Sequence, residues 1–155
     1  MASLDGRFGE EDVHLEQIHD AGHCLRSHQK NRLERVVDEF ETQFPQFFPV
    51  LYTAVVPDQC RPRELAAWLL NRGKVIARDE LRNNENGFLF LFDLNRKIVG
   101  LTAGYYAEKI VNEEDQIELL RKPVPFLMAG DFGLAMEQCV LELGRVLRRK
   151  HRLLR

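Results

Sequence analysis

One stretch decides the fold: Gly87-Phe-Leu-Phe-Leu-Phe92, Asp93-Leu-Asn-Arg96, Lys97-Ile-Val-Gly-Leu-Thr-Ala103. The first run is almost wholly apolar and too short for a helix, as expected of a central strand packed on both faces. Asp93 to Arg96 can form a tight turn, and Lys97 to Ala103 then reads as the returning arm of an antiparallel hairpin.

Upstream of it, Val50-Leu-Tyr-Thr-Ala-Val-Val56 is a second β-rich run, closed by Pro57 and Asp58. Between the two runs, Arg61 to Asn71 has Pro62 in its first turn, an apolar set of Leu65, Ala66, Trp68, Leu69 and Leu70, and Gly73 as a stop. A strand, a helix and a second strand make a parallel pair with a crossover. Further upstream, Leu33, Val36, Val37 and Phe40 recur at spacings of three and four within His28–Gln43, with Ser27 placed to accept from the first free N–H groups. Two prolines between Phe44 and Pro49 end that helix. Residues 1–17 are polar and acidic, with at most a weak helical turn near Val13 to Gln17, and are expected to be partly mobile. Lys74 to Asn86 reads as polar. Downstream, Asn112 can cap a helix through Leu120, Pro123 and Pro125 interrupt, and Asp131 can cap a last helix from Phe132 to about Arg149. The expected fold is α/β: a three-layer α-β-α sandwich around a small mixed sheet, one parallel crossover plus a hairpin, Rossmann-like in style.

At 155 residues and 45% apolar composition the chain suits one domain with one core, so a single domain is expected rather than two. We divide it into an N-terminal segment (1–17), a domain (18–149) and a basic tail (150–155). No apolar run approaches the roughly 20 residues of a membrane span, and the opening residues are acidic where a secretory signal would be basic and apolar, so a cytoplasmic protein is expected. Cys24, Cys60 and Cys139 have no paired metal or redox spacing and are expected as free thiols. The net charge of −2 conceals an asymmetry: residues 145–155 carry six Lys/Arg and no acid, against 16 basic and 24 acidic groups elsewhere.

Several phrases, in order and at matching spacing, resemble the TPM domain family of thylakoid-lumen, photosystem II repair and bacterial envelope proteins. Ile18-His-Asp-Ala-Gly-His-Cys-Leu25 is similar to the family's opening Val-x-Asp-x-Ala-x-x-Leu, with Asp20 and Leu25 in place and Gly22 where the family has Ala. Asn84-Glu-Asn-Gly87 resembles its Asp-Asn-Gly, with Glu85 in the Asp place, and Gly104-Tyr-Tyr-Ala-Glu108 resembles Gly-Tyr-Gly-x-Glu. Pro125-Phe126, Ala129-Gly-Asp-Phe132 and Ala135 resemble the passage that opens the family's last helix. The resemblance spans roughly residues 18–148. The chain departs at Phe44-Pro-Gln-Phe-Phe-Pro49, where a Thr-Gly is usual, and at Tyr106, which replaces a glycine; the membrane helix or signal peptide common in the family is not expected from these residues.

A parallel pair followed by a hairpin gathers Glu85, Asn86, Gly104 and Glu108 at one end of the sheet, with Asp131 as a possible further contributor. Carboxylates and an amide oxygen suit a hard cation, Ca²⁺ or Mg²⁺. Asp58, Asp93 and Arg96 gather at the other end, beyond the carboxyl ends of the parallel strands where open α/β sheets bind ligands. His14, His19, His23 and His28 with Cys24 invite a zinc reading, against which Gly22 argues by breaking any helix there. Arg145, Arg148, Arg149, Lys150 and Arg152 could touch an anionic membrane, or balance a helix dipole; nucleic acid is disfavoured by the acidic body and the want of interleaved aromatics. Acid phosphatase activity is something the resemblance implies, but the chain has no Cys-x5-Arg loop, Asp-x-Asp pair or G-x-S-x-G motif to support it. The expected function is a non-catalytic module that binds a partner protein, a divalent cation, or both. The alternatives are a weak metal-dependent phosphatase and a basic-tail adaptor.

Overall fold

The computed structural model describes residues 13–77 and 80–153. Its elements are β1 (Val13–Leu15), β2 (Ile18–Asp20), α1 (Ser27–Gln43), β3 (Phe48–Ala54), α2 (Pro62–Arg72), β4 (Gly73–Ala77), β5 (Glu80–Leu81), a 3-10 turn (Asn84–Asn86), β6 (Gly87–Asp93), β7 (Ile98–Ala103), α3 (Tyr105–Ile110), α4 (Glu113–Leu119), α5 (Val124–Met128) and α6 (Phe132–Leu153).

The main sheet has the order β2-β3-β6-β7. β3 runs parallel to both β2 and β6, and β7 returns antiparallel to β6. The expected crossover and hairpin are therefore present, and a further crossover, β2-α1-β3, precedes them. β1, β4 and β5 form a second, small sheet, with β1 parallel to β4 and β5 antiparallel to it. Val13–Leu15 is thus a strand paired with Gly73–Val75 rather than a helical turn. Residues 1–12, for which mobility was expected, lie outside the described residues.

Pleat alternation divides the core into two layers. Phe88, Phe90 and Phe92 of β6 face a cluster that includes Leu33, Val37 and Phe40 of α1 and Met136, Cys139, Val140 and Leu143 of α6. Leu89 and Leu91 face the opposite cluster, with Ala66, Trp68, Leu69 and Leu70 of α2 and Leu15 and Val75 of the small sheet. Every residue of β6 is buried, which explains its near-continuous apolar run.

Helix starts follow local chemistry. Ser27, expected as a cap, is already the first helical residue of α1; Arg26 precedes it, and its N–H donates to Gln29 Oε1 at 2.8 Å. Asn112 and Asp115 cap α4 reciprocally, and Leu134 N donates to Asp131 Oδ1 at 3.1 Å, so Asp131 caps α6 as expected. The departure Phe44–Pro49 is held by Arg82, whose Nη2 donates to Pro45 O and Phe47 O while its guanidinium lies over the Phe48 ring. Gln17 Nε2 donates to Pro49 O and to the buried Glu41, which ties the β1–β2 junction to the end of α1.

Candidate functional site

Two of the family-like phrases, Asn84–Gly87 and Gly104–Glu108, meet at the amino end of β6. Asn84 Nδ2 donates to Leu70 O and Gly73 O, which pins the 3-10 turn to the end of α2, and Asn83 accepts from Glu85 N. Gly104 N donates to Gly87 O at 2.8 Å. A Cβ on Gly104 would stand 2.1 Å from Asn84 O and 2.6 Å from Glu85 Cα, so this backbone crossing admits only glycine. A cleft of about 290 Å³ opens beside it, lined by Leu70, Asn71, Asn84, Glu85, Thr102 and Tyr105 among others.

Tyr105 and Tyr106, the latter in place of the family's second glycine, stand exposed at the first turn of α3. Their rings are edge-on at 5.3 Å, with Lys109 Nζ 4.3 Å from the Tyr105 centroid and 5.6 Å from that of Tyr106. Glu85 and Glu108 are exposed and Asn86 half-buried. α3 packs on the 3-10 turn, so the structure brings these three to one end of the sheet. Asp131 goes to the other end, because α6 runs parallel to α1, whose N-terminus follows the carboxyl end of β2; there Asp131 shares a recess with His28, Gln29 and Arg32. No group of three or more His, Cys, Asp or Glu placed to hold a metal ion occurs among the described residues.

At the carboxyl end, Asp93 is fully buried and its Oδ2 lies 2.7 Å from Arg96 Nε. Arg96 Nη2 also donates to Val56 O, Pro57 O and Cys60 O at 2.8–3.4 Å. The Asp93–Arg96 pair is therefore a strap on the β3–α2 loop, and Asp58 is exposed on that loop. The other acid at this end, Asp20, organises the link into α1. Burial pushes its carboxyl up, but hydrogen bonds from Thr53 Oγ1 (2.6 Å), Leu25 N (2.9 Å) and Cys24 N (3.0 Å) outweigh that and hold it below the usual Asp range. The family spacing marked Asp20, but its role was missed because Thr53 is 33 residues away.

The histidines are dispersed. His19 stacks on Tyr52 and accepts from Glu16 N, His23 sits in a turn at φ 51°, His14 is on β1 and His28 on α1. Burial, then the charge of Asp20, pushes the Cys24 thiol up to about 12, and burial alone raises Cys139. Cys60 is buried with its thiol donating to Arg61 O. The basic stretch continues α6 to Leu153, and much of its charge is engaged: Arg145 with Glu142, Arg148 with Gln43, and Arg149 and Lys150 with the buried Asp115. Arg152 is exposed. Among the described residues, no helix is long and apolar enough to cross a membrane.

Solved structures share this architecture. The N-terminal domain of the cg2496 protein from Corynebacterium glutamicum matches with a TM-score of 0.64 at 11% identity, over 84% of this chain and 78% of that one. An N-terminal domain of a protein from P. gingivalis matches with a TM-score of 0.64 at 16% identity, over 84% and 81%. At these identities the likeness shows the fold alone. No curated protein matches the chain. The family model described as TPM domain matches residues 18–146, which span both sheet ends and most of α6, and the chain belongs to the TPM domain family.

Proposed function

We propose that this chain is a TPM module that docks a protein partner at the amino end of its main sheet, around Tyr105 and Tyr106. The observation that carries this reading is the pair of exposed tyrosines, 60% and 48% accessible, beside a cleft at the family's own motifs. Tyrosine is enriched among residues that dominate binding energy, because it offers a large apolar face with a polar tip and little rotamer entropy to lose. The rigid Gly104 crossing and the Lys109 ammonium hold the pair in place before a partner arrives. A second reading adds a divalent cation: Glu85 and Glu108 present two carboxylates at this end, so a hard cation held there would keep open positions for a partner's oxygens.

The test places a photo-crosslinking amino acid at Tyr105 in cells that make the chain. A discrete crosslinked partner is expected, absent when the crosslinker stands at Ile98 and lost when Tyr106→Ala accompanies it. A parallel assay follows a generic phosphomonoester with and without Ca²⁺ or Mg²⁺. Metal-dependent turnover abolished by Glu85→Ala/Glu108→Ala would overturn the binding-module reading in favour of a phosphatase.

A further inference from the structure

The outer face of the α1–α6 layer carries a second surface, independent of the tyrosine end. α1 and α6 run side by side in the same direction. Arg32 Nε donates to Glu137 Oε1 at 2.8 Å and Arg148 Nη1 to Gln43 Oε1 at 2.9 Å, and both pairs are 105 residues apart in sequence, which fixes one helix in register on the other. Between them lies an open groove of about 520 Å³, lined by Val36, Phe40, Val140 and Gly144, with Leu141 50% exposed beside it.

Internal packing does not require Gly144 to be glycine. A Cβ there would meet nothing nearer than 3.5 Å, an ordinary contact. Glycine inside a helix is disfavoured relative to alanine, so this position gives up local stability and in return leaves the groove floor open. Charge also divides across the groove lining, with Asp38 and Glu39 on the α1 side and Arg148 on the α6 side; Arg145 stands next to the lining, exposed and 3.2 Å from Glu142 of its own helix.

We propose that this face docks a second copy of the chain, with a twofold axis along the groove. That rotation sets α1 of one copy against α6 of the other at equal height. By the 105-residue register, Val36 then meets Leu141 of the second copy, and Glu39 meets the turn holding Gly144 and Arg145. The same contacts recur on the other side of the axis. A foreign helix of one charge sign would face a wall of its own sign, whereas a second copy presents the acid–base split inverted and matches both walls. Arg32 is held by Glu137 at 2.8 Å within its own copy. Arg145 is held more loosely by Glu142, at 3.2 Å with its side chain 64% exposed, and keeps donors for Glu39 of the second copy. Arg35 falls beside Gln138 and Leu141 of the second copy, where no cation opposes it.

Sedimentation equilibrium of the full chain at low salt tests this, loaded from about 5 µM to about 500 µM to bracket a weak dimer. The wild type is expected to move from monomer to dimer over that range. Glu39→Arg and Arg145→Glu are each expected to weaken the dimer about tenfold, and the variant carrying both to recover to within about threefold of wild type, because the swapped charges again oppose across the axis. Leu141→Gln, at an exposed position, should weaken dimerisation without altering the charges, and circular dichroism should show every variant folded. A wild type that stays monomeric throughout, single variants that dimerise as well as wild type, or a double variant no better than the singles overturns the proposal.

Discussion

Asp20 shows how much one side chain can organise. Its carboxylate gathers Cys24 N, Leu25 N and Thr53 Oγ1, while Gly22 N donates to Thr53 Oγ1, so a turn without regular structure is fixed to the end of β3 before α1 begins. These donors favour the charged form, and the folded pKa lies below the ordinary value. The resulting stability is fully present above the unfolded pKa of about 3.9 and is lost as pH falls through the lower folded value. Asp20→Asn keeps the shape but turns an amide NH₂ toward donors, and is expected to cost about 1–3 kcal/mol at neutral pH. Urea titrations at stepped pH should also show a flatter acid limb in the variant. An acid limb as steep as that of wild type would assign the pH dependence to other carboxylates. At this scale the sequence marked the residue by its spacing to Leu25, but no local pattern could name Thr53 as its partner.

Elements were legible in proportion to their length and burial. β6 and α6 announce themselves, one by an unbroken apolar run and the other by a stripe that the structure buries from Ala135 to Leu147. β1, β2 and β5, at two or three residues each, fall below any periodicity. β4 hides for another reason: it alternates buried Gly73, Val75 and Ala77 with exposed Lys74 and Ile76, and the outward isoleucine blurs the pattern. Asp131 was read both as a helix cap and as a cation ligand, and the two roles separate by substitution. As a cap it accepts from Leu134 N, so Asp131→Ala is expected to cost about 1 kcal/mol and Asp131→Asn close to nothing, since asparagine caps equally well. Urea midpoints measured with and without Ca²⁺ decide this. Calcium-dependent stability in wild type that asparagine fails to keep would return Asp131 to a metal site, at the carboxyl end and apart from Glu85 and Glu108.

Across the whole molecule, the layered plan follows from one strand that is buried on both faces. Alternation along β6 sends three phenylalanines toward α1 and α6 and two leucines toward α2, so neither helical layer can detach without exposing the same strand. The two crossovers and the hairpin keep β6 between β3 and β7, and this placement was readable from the order of elements; the small sheet was not, because it joins residues 13–15 to 73–75 across two helices. A strand shared by both layers makes unfolding a single transition. Trp68, the chain's one tryptophan, reports on the α2 layer, while far-UV circular dichroism is dominated by the longest helices, α1 and α6, on the other face. In urea the two signals should therefore share one midpoint. Phe90→Leu, which perturbs the α1–α6 side by about 1–2 kcal/mol, should shift the tryptophan signal as far as the dichroism. Leu91→Ala, on the α2 side at about 2–5 kcal/mol, should shift the dichroism as far as the tryptophan. If either substitution moved only the signal of its own layer, the two faces of β6 would be separate cooperative units, and the sheet would be a seam between two cores.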